Sequence, residues 1–120
     1  MIGRFATFRE FWPYYLQEHA NPRTRALHYA GTTMVILLVS LAVIERNYWP
    51  LIILPITGYG FAWAGHFFIE RNRPATFRYP LWSLLADFRM WFCFVTGNIQ
   101  PELASAGVRS DGTIDPALRL

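Results

Sequence analysis

Three histidines, His19, His28 and His66, are the only imidazoles in the chain, and each sits at the edge of an apolar stretch. Imidazole is the commonest metal ligand and the side chain that exchanges protons near neutral pH. Three of them with a carboxylate and no thiolate make a donor set for Fe(II), Mn(II) or Zn(II) rather than for copper(I) or an iron–sulfur cluster. Two carboxylates are candidates to join them. Glu70 is four residues after His66, on the same face of a helix, where it could ligate a metal or take the imidazole N–H. Asp87 arrives from a later apolar segment. Each acid also has a plainer reading, Glu70 as a partner for Arg71 or Arg73 and Asp87 as a partner for Arg89 or Arg78. The single Cys93 excludes an internal disulfide framework and a cysteine-based zinc site.

The elements that would position these groups are helices. Ala26 to Ile44 is almost unbroken apolar sequence, and at ~1.5 Å per residue it spans about 29 Å, the thickness of the hydrocarbon core. Glu45-Arg46-Asn47 is a polar turn, and Leu51 to Ile69 is a second span, with Gly58, Gly60 and Gly65 permitting close helix contact. In an antiparallel hairpin His28, near the start of the first span, and His66, near the end of the second, share one depth. His19 is nine residues before His28 and would face the opposite side of a continuous helix, but the Asn21-Pro22 break lets the chain fold back. Thr7 to His19 reads as an amphipathic helix in the membrane interface, kinked at Pro13, with Phe8, Phe11, Trp12, Tyr15 and Leu16 on one side. Leu81 to Thr96 carries Asp87 and Arg89 and is either a third span or a helix lying in the interface. From Pro101 onward Ser, Gly, Asp and Pro suggest a mobile polar tail.

Composition agrees with a bilayer. Of 120 residues, 53% are hydrophobic and 16% charged, too apolar for a soluble domain of this size to bury. All 11 basic residues are arginine, and they cluster at segment ends rather than in one stripe, which argues against nucleic acid. Arg23, Arg25, Arg73 and Arg78 either set topology alone or grip an anionic head group. Their distribution puts the N-terminus and the loop after the second span on the cytoplasmic side. Met1 to Tyr15 lacks an uninterrupted apolar core, so no cleavable signal peptide is expected. The expected fold class is all-α, an integral membrane helical bundle with a two-helix hairpin, an N-terminal interfacial amphipathic helix and a third apolar helix.

Three blocks taken together resemble a known family. They are Tyr15-Leu16-Gln17-Glu18-His19-Ala20-Asn21-Pro22 with Arg25-Ala26-Leu27-His28-Tyr29, then Gly65-His66-Phe67-Phe68-Ile69-Glu70-Arg71-Asn72-Arg73-Pro74, then Tyr79-Pro80-Leu81-Trp82-Ser83-Leu84 with Asp87-Phe88-Arg89-Met90. The pattern is similar to the small membrane-protein family that includes the fungal 2-hydroxy fatty acid dioxygenase, over roughly residues 10 to 97. The resemblance implies Fe(II)-dependent alpha-oxidation of 2-hydroxy fatty acids with O2, giving the acid one carbon shorter and CO2. It places the family's histidines on His19, His28 and His66 as metal ligands and its acidic position on Glu70. Glu70 or Asp87 would complete the metal's shell or buffer a proton, and Arg25 or Arg73 would hold the substrate carboxylate. Where the family tends to carry Asn, five residues after the first histidine, this chain has Thr24, which bears on substrate preference if that position touches substrate. Residues 1–100 would form the dioxygenase-like domain and 101–120 the polar tail, in the cytoplasmic membrane of a bacterium or the endoplasmic reticulum of a eukaryote. So few short spans offer few walls for a pocket, which leaves a homodimer open. Two other classes stay open: a membrane scaffold whose histidines and acids form a structural network, and a bis-histidine haem protein.

Overall fold

A computed structural model describes residues 4–120; Met1, Ile2 and Gly3, the start of the stretch expected to hold no cleavable signal peptide, lie outside the described residues. Helix α1 (Phe8–Gln17) begins where Thr7, in extended backbone, accepts a hydrogen bond from the Glu10 N–H, an N-cap that satisfies one orphan donor. Helix α2 (Pro22–Glu45) starts four residues earlier than its apolar run. Asn21 caps it by accepting from Arg23 N–H at 2.9 Å, and Pro22 takes the first position, where its missing N–H costs nothing. The dipeptide expected to break one helix therefore also begins the next. The return limb opens with a tight 3-10 turn (Trp49–Ile53), continues as α3 (Leu54–Ala64) and widens into a π turn (Gly65–Glu70). Helix α4 spans Pro80–Val95 and α5 spans Ile99–Ser105. Among the described residues the fold is helical throughout, with one isolated bridge between Val108 and Ile114.

Two stretches, Pro22–Glu45 and Trp49–Glu70, are long and apolar enough to cross a membrane, with mean hydropathies of 2.0 and 1.4. Only 17% and 11% of their most apolar windows are buried within the protein, so both turn aliphatic surface outward, as helices do when lipid is their solvent. The sixteen residues of α4 extend about 24 Å, short of the ~30 Å hydrocarbon core. That helix leans on the hairpin through Trp91, whose indole donates to Thr33 Oγ1 at 3.0 Å, and through Phe94 stacked on Tyr29 at 4.0 Å.

The water-type core lies at the other end. The apolar side of α1 is turned inward: Phe11, Trp12, Tyr15 and Leu16 are buried together with Ala86 and Met90 of α4 and with Ile99 and Leu103 of α5. The face expected to rest in the interface thus supplies the lid of the bundle. Arg89 fastens it, lying 4.3 Å over the Trp12 ring while pairing with Glu102 at 3.1 Å. The segment after Pro101, expected as a mobile tail, is docked instead. Ala106 and Val108 are buried, and the buried Gln17 side chain donates to the carbonyls of Ala106 and Leu118 and accepts from Leu120 N–H. Composition pointed to mobility because the segment's few apolar residues are spaced irregularly; one buried amide with three backbone partners holds it down.

Candidate metal centre

The hairpin and the turn between α1 and α2 bring the three histidines to one point. His19 lies just beyond α1, His28 in the second turn of α2, and His66 on the π turn; all are buried. Close helix approach makes this possible. A Cβ on Gly65 would fall 2.8 Å from Thr24 Cγ2 and 3.3 Å from its Cα, and one on Gly31 would fall 3.1 Å from Phe61 Cβ. Glycine at these positions is what lets the two limbs touch. Single π turns recur at functional sites, and here the turn carries a ligand-type side chain.

Hydrogen bonds fix the tautomers. His19 Nδ1 faces the Tyr15 carbonyl at 2.6 Å and His28 Nδ1 faces the Thr24 carbonyl at 3.0 Å, and a carbonyl can only accept. His66 Nδ1 meets Asn72 Oδ1 at 2.7 Å, while Asn72 Nδ2 donates to the Glu18 carbonyl at 3.1 Å, which sets the amide's orientation. All three Nδ1 atoms therefore carry hydrogen, and all three Nε2 atoms present lone pairs. These converge: the rings stand 4.3, 4.5 and 5.1 Å apart, centroid to centroid, at mutual angles of 88°, 79° and 89°. The Nε2 atoms of His19 and His28 are only 3.0 Å apart.

Two lone pairs at that distance repel unless a cation lies between them. A proton is a poor candidate, because burial, with the neighbouring His28 and His66, pushes His19 well below the usual imidazole range. A divalent ion fits. Nitrogens bound at about 2.1 Å to one ion lie about 3.0 Å apart when they subtend a right angle. The ligand atoms of His19, His28 and His66 all lie within 4.8 Å of one another, and each imidazole's second nitrogen is held by an acceptor, the arrangement of metal-binding histidines.

The remaining predicted site residues are placed differently from one another. Asp87 is at the centre: it lines the cavities beside the histidines, and its Oδ1 accepts from the Tyr15 hydroxyl rather than from an arginine. Burial pushes its carboxyl up to about 7, against which the Tyr15 bond acts. Glu70 does not meet His66. Its Oε1 accepts from the Asn21 N–H at 2.6 Å, tying the π turn to the start of α2, and Asn72 fills the role expected of it on the imidazole. Arg25 is buried and its Nη1 donates to the carbonyls of His19 and Ala20, both at 2.8 Å, so the guanidinium braces the histidine-bearing turn. Thr24 is fully buried against Gly65 and gives its carbonyl to His28. Arg73 is exposed, stacked 4.7 Å from the Phe77 ring at the mouth of an open groove. Tyr15 and Asn72 are the site residues that spacing did not reveal. Tyr15 also stacks on His19 at 4.1 Å; aromatic excess hid it among packing residues, and Asn72 carries no charge to mark it.

Two adjoining spaces open beside the centre. A mainly apolar cavity of about 250 Å³ runs between α2, α3 and α4 from His28 and Asp87 to Leu54 and Pro55. Along α3 that is eight residues from Ala62 to Leu54, about 12 Å. The second, lined by all three histidines with Asp87, Trp63 and Ser83, has about 10 Å³ of room, enough for about one water-sized group. His28, Tyr59, Ala62 and Asp87 line both.

The fold and the site define an all-helical protein with membrane-type spans and a buried three-imidazole centre of metal-binding geometry at the head of an apolar cavity. The model of one family, described as 2-hydroxy-palmitic acid dioxygenase Mpo1-like, matches residues 5–99, and the chain belongs to that family. No curated protein and no solved structure matches the chain.

Proposed function

We propose that the protein is a membrane-embedded Fe(II)-dependent dioxygenase that converts a 2-hydroxy fatty acid and O2 to the fatty acid one carbon shorter, CO2 and water. The observation that carries this reading is the convergence of three Nε2 lone pairs beside a mainly apolar cavity that His28 and Asp87 also line. The family description supplies the substrate class, and the stoichiometry is self-sufficient, since the substrate gives up all four electrons that O2 takes. His19, His28 and His66 would hold the iron, which supplies Lewis acidity for a hydroxy-carboxylate and a redox partner for O2. The protein's own groups do the rest. Leu54, Pro55, Gly58 and Phe88 receive the acyl chain and exclude water. Asp87, raised to about 7 by burial and accepting from the Tyr15 hydroxyl, is placed to exchange a proton beside the substrate hydroxyl. Arg25 and Glu70 keep the turn and the hairpin end in register. The arginines Arg23, Arg71, Arg73 and Arg78 are exposed, and the positive-inside rule puts them and the site at the cytoplasmic face. The test is anaerobic Fe(II) reconstitution in mild detergent, then mass spectrometry of 2-hydroxypalmitate incubated with O2. Pentadecanoate with one equivalent of iron is expected, and His66→Ala should lose both. An unshortened chain, or a His66→Ala protein with full iron and activity, overturns the proposal; a metal-free protein would instead fit a structural histidine network.

A further inference from the structure

Helix α4 turns a row of large apolar side chains outward. Leu81, Leu84, Leu85, Phe88, Phe92 and Val95 are each between 38% and 74% exposed. At about 100° per residue they fall within an arc of about 100°. Ala86 and Met90, on the other side of the helix, are buried in the core with Phe11 and Trp12 of α1. The row therefore faces away from the lid, and an exposed apolar stripe of this kind marks a docking surface.

The run of the chain says what the stripe docks on. Two membrane-type spans, Pro22–Glu45 and Trp49–Glu70, return the chain to the side on which it entered. If α4 were a third crossing, α5 and the C-terminal segment would stand about 30 Å away from α1, across the hydrocarbon. They are instead bound to it: Gln17 Nε2 donates to the carbonyls of Ala106 at 2.9 Å and Leu118 at 2.8 Å. Arg89, midway along α4, lies over Trp12 of α1 and pairs with Glu102 of α5. Nor does α4 follow the hairpin. From Asp87 to Phe94 it advances about 10 Å. Its neighbours on α2 meanwhile stay within a short stretch, His28 beside Asp87 in one cavity, Thr33 bonded to Trp91, and Tyr29 under Phe94.

We infer that α4 lies in the plane of the membrane, its stripe sunk among the acyl chains of the leaflet nearest α1, so that the protein crosses the bilayer twice. This rests on the two spans crossing a bilayer, not on any turnover. The stripe is continuous with the outward surface of the hairpin, since Leu84 and Phe88 also line the mainly apolar cavity with Leu54 and Pro55. The docked face thus borders the proposed acyl site. Arg71, Arg73 and Arg78 are exposed in the loop that leads from the second span to α4, where anionic head groups would meet them.

The test measures depth in the full chain, reconstituted in vesicles of phosphatidylcholine and phosphatidylglycerol. With Cys93→Ala removing the native thiol, a nitroxide is attached singly after Leu81→Cys, Leu85→Cys or Phe92→Cys. Leu37→Cys, on the outward face of the first span, and Ser110→Cys, on the C-terminal segment, are the references. All five positions are exposed, so the helical signal should not change. Depth is read from collisions with O2, which concentrates in hydrocarbon, against collisions with a water-soluble nickel chelate. The label at position 37 should be deep and that at 110 in water, with the three α4 labels at one shared depth about 5–10 Å into the head-group and acyl boundary. A depth that changes by about 16 Å from position 81 to 92 would show a third span. Labels on α4 as open to nickel as position 110 would show no docking, and either result overturns the inference. A label at position 37 in water would remove the bilayer and the inference with it. A docked α4 in a protein that shortens no 2-hydroxy acid would sink the dioxygenase and leave the inference standing.

Discussion

Asn72→Ala separates the hydrogen-bonded support of the metal centre from its ligands. Asn72 Oδ1 accepts the His66 Nδ1 hydrogen at 2.7 Å, and its amide is oriented by the Glu18 carbonyl at 3.1 Å. Without the side chain, the His66 ring loses its Nδ1 acceptor in a buried setting and is free to move its hydrogen to Nε2. In that tautomer it donates nothing to a metal, and the site falls to two imidazoles. Losing such a support lowers metal affinity by about 10- to 100-fold, or about 1.4–2.8 kcal/mol. The backbone bond from Asn72 N–H to the His66 carbonyl at 2.9 Å survives, so the π turn and the helical signal should persist. The assay is competition of Zn(II) or Co(II) against a chromophoric chelator. Asn72→Asp restores an acceptor while losing the donor to Glu18, and should recover most of the affinity. Affinity for the alanine variant within about threefold of wild type would refute the tautomer argument.

Gly65→Ala should be among the most damaging small substitutions in the chain. The new methyl would sit 2.8 Å from Thr24 Cγ2 and 3.3 Å from Thr24 Cα, forcing apart the segments that carry His28 and His66. Overpacking of this kind costs about 1–3 kcal/mol, read as a lower melting temperature together with weaker metal binding. Asp87 makes stability depend on pH. Its carboxyl is raised from 3.8 to about 7, so between those values the folded protein holds a proton that the unfolded chain releases. Stability should therefore fall as pH rises from about 4 to 7 and level off above, and Asp87→Asn should flatten that slope in melts taken across the range.

The hairpin was legible in the sequence because its two spans are long, apolar and joined by a charged turn, and that alone fixed the shared depth of His28 and His66. His19 was legible through Pro22, whose geometry forbids the continuous helix that would have turned it away. The arginines were misleading for a physical reason. Near a suspected anion, a guanidinium reads as a ligand, yet Arg25 is satisfied by two backbone carbonyls five and six residues away, a local geometry that no charge pattern signals. Glu70 misled in the same way. Its spacing from His66 is that of an α-helix, but the chain there takes a π turn, ends at Arg71 with φ 58°, and brings Asn72 back to the ring.

The Gln17 amide has a consequence for the order in which the protein is built. It joins α1 to backbone groups 89, 101 and 103 residues further along, so the docking of α1 through Gln17 is complete only when the segment through Leu120 has been synthesised. Closures over such separations are slow compared with formation of a helical hairpin from neighbouring segments. The two spans can thus seat in a bilayer before α1 has gained its last partners. Closure of the helical lid over the three imidazoles is then a late event that follows the pairing of the two spans.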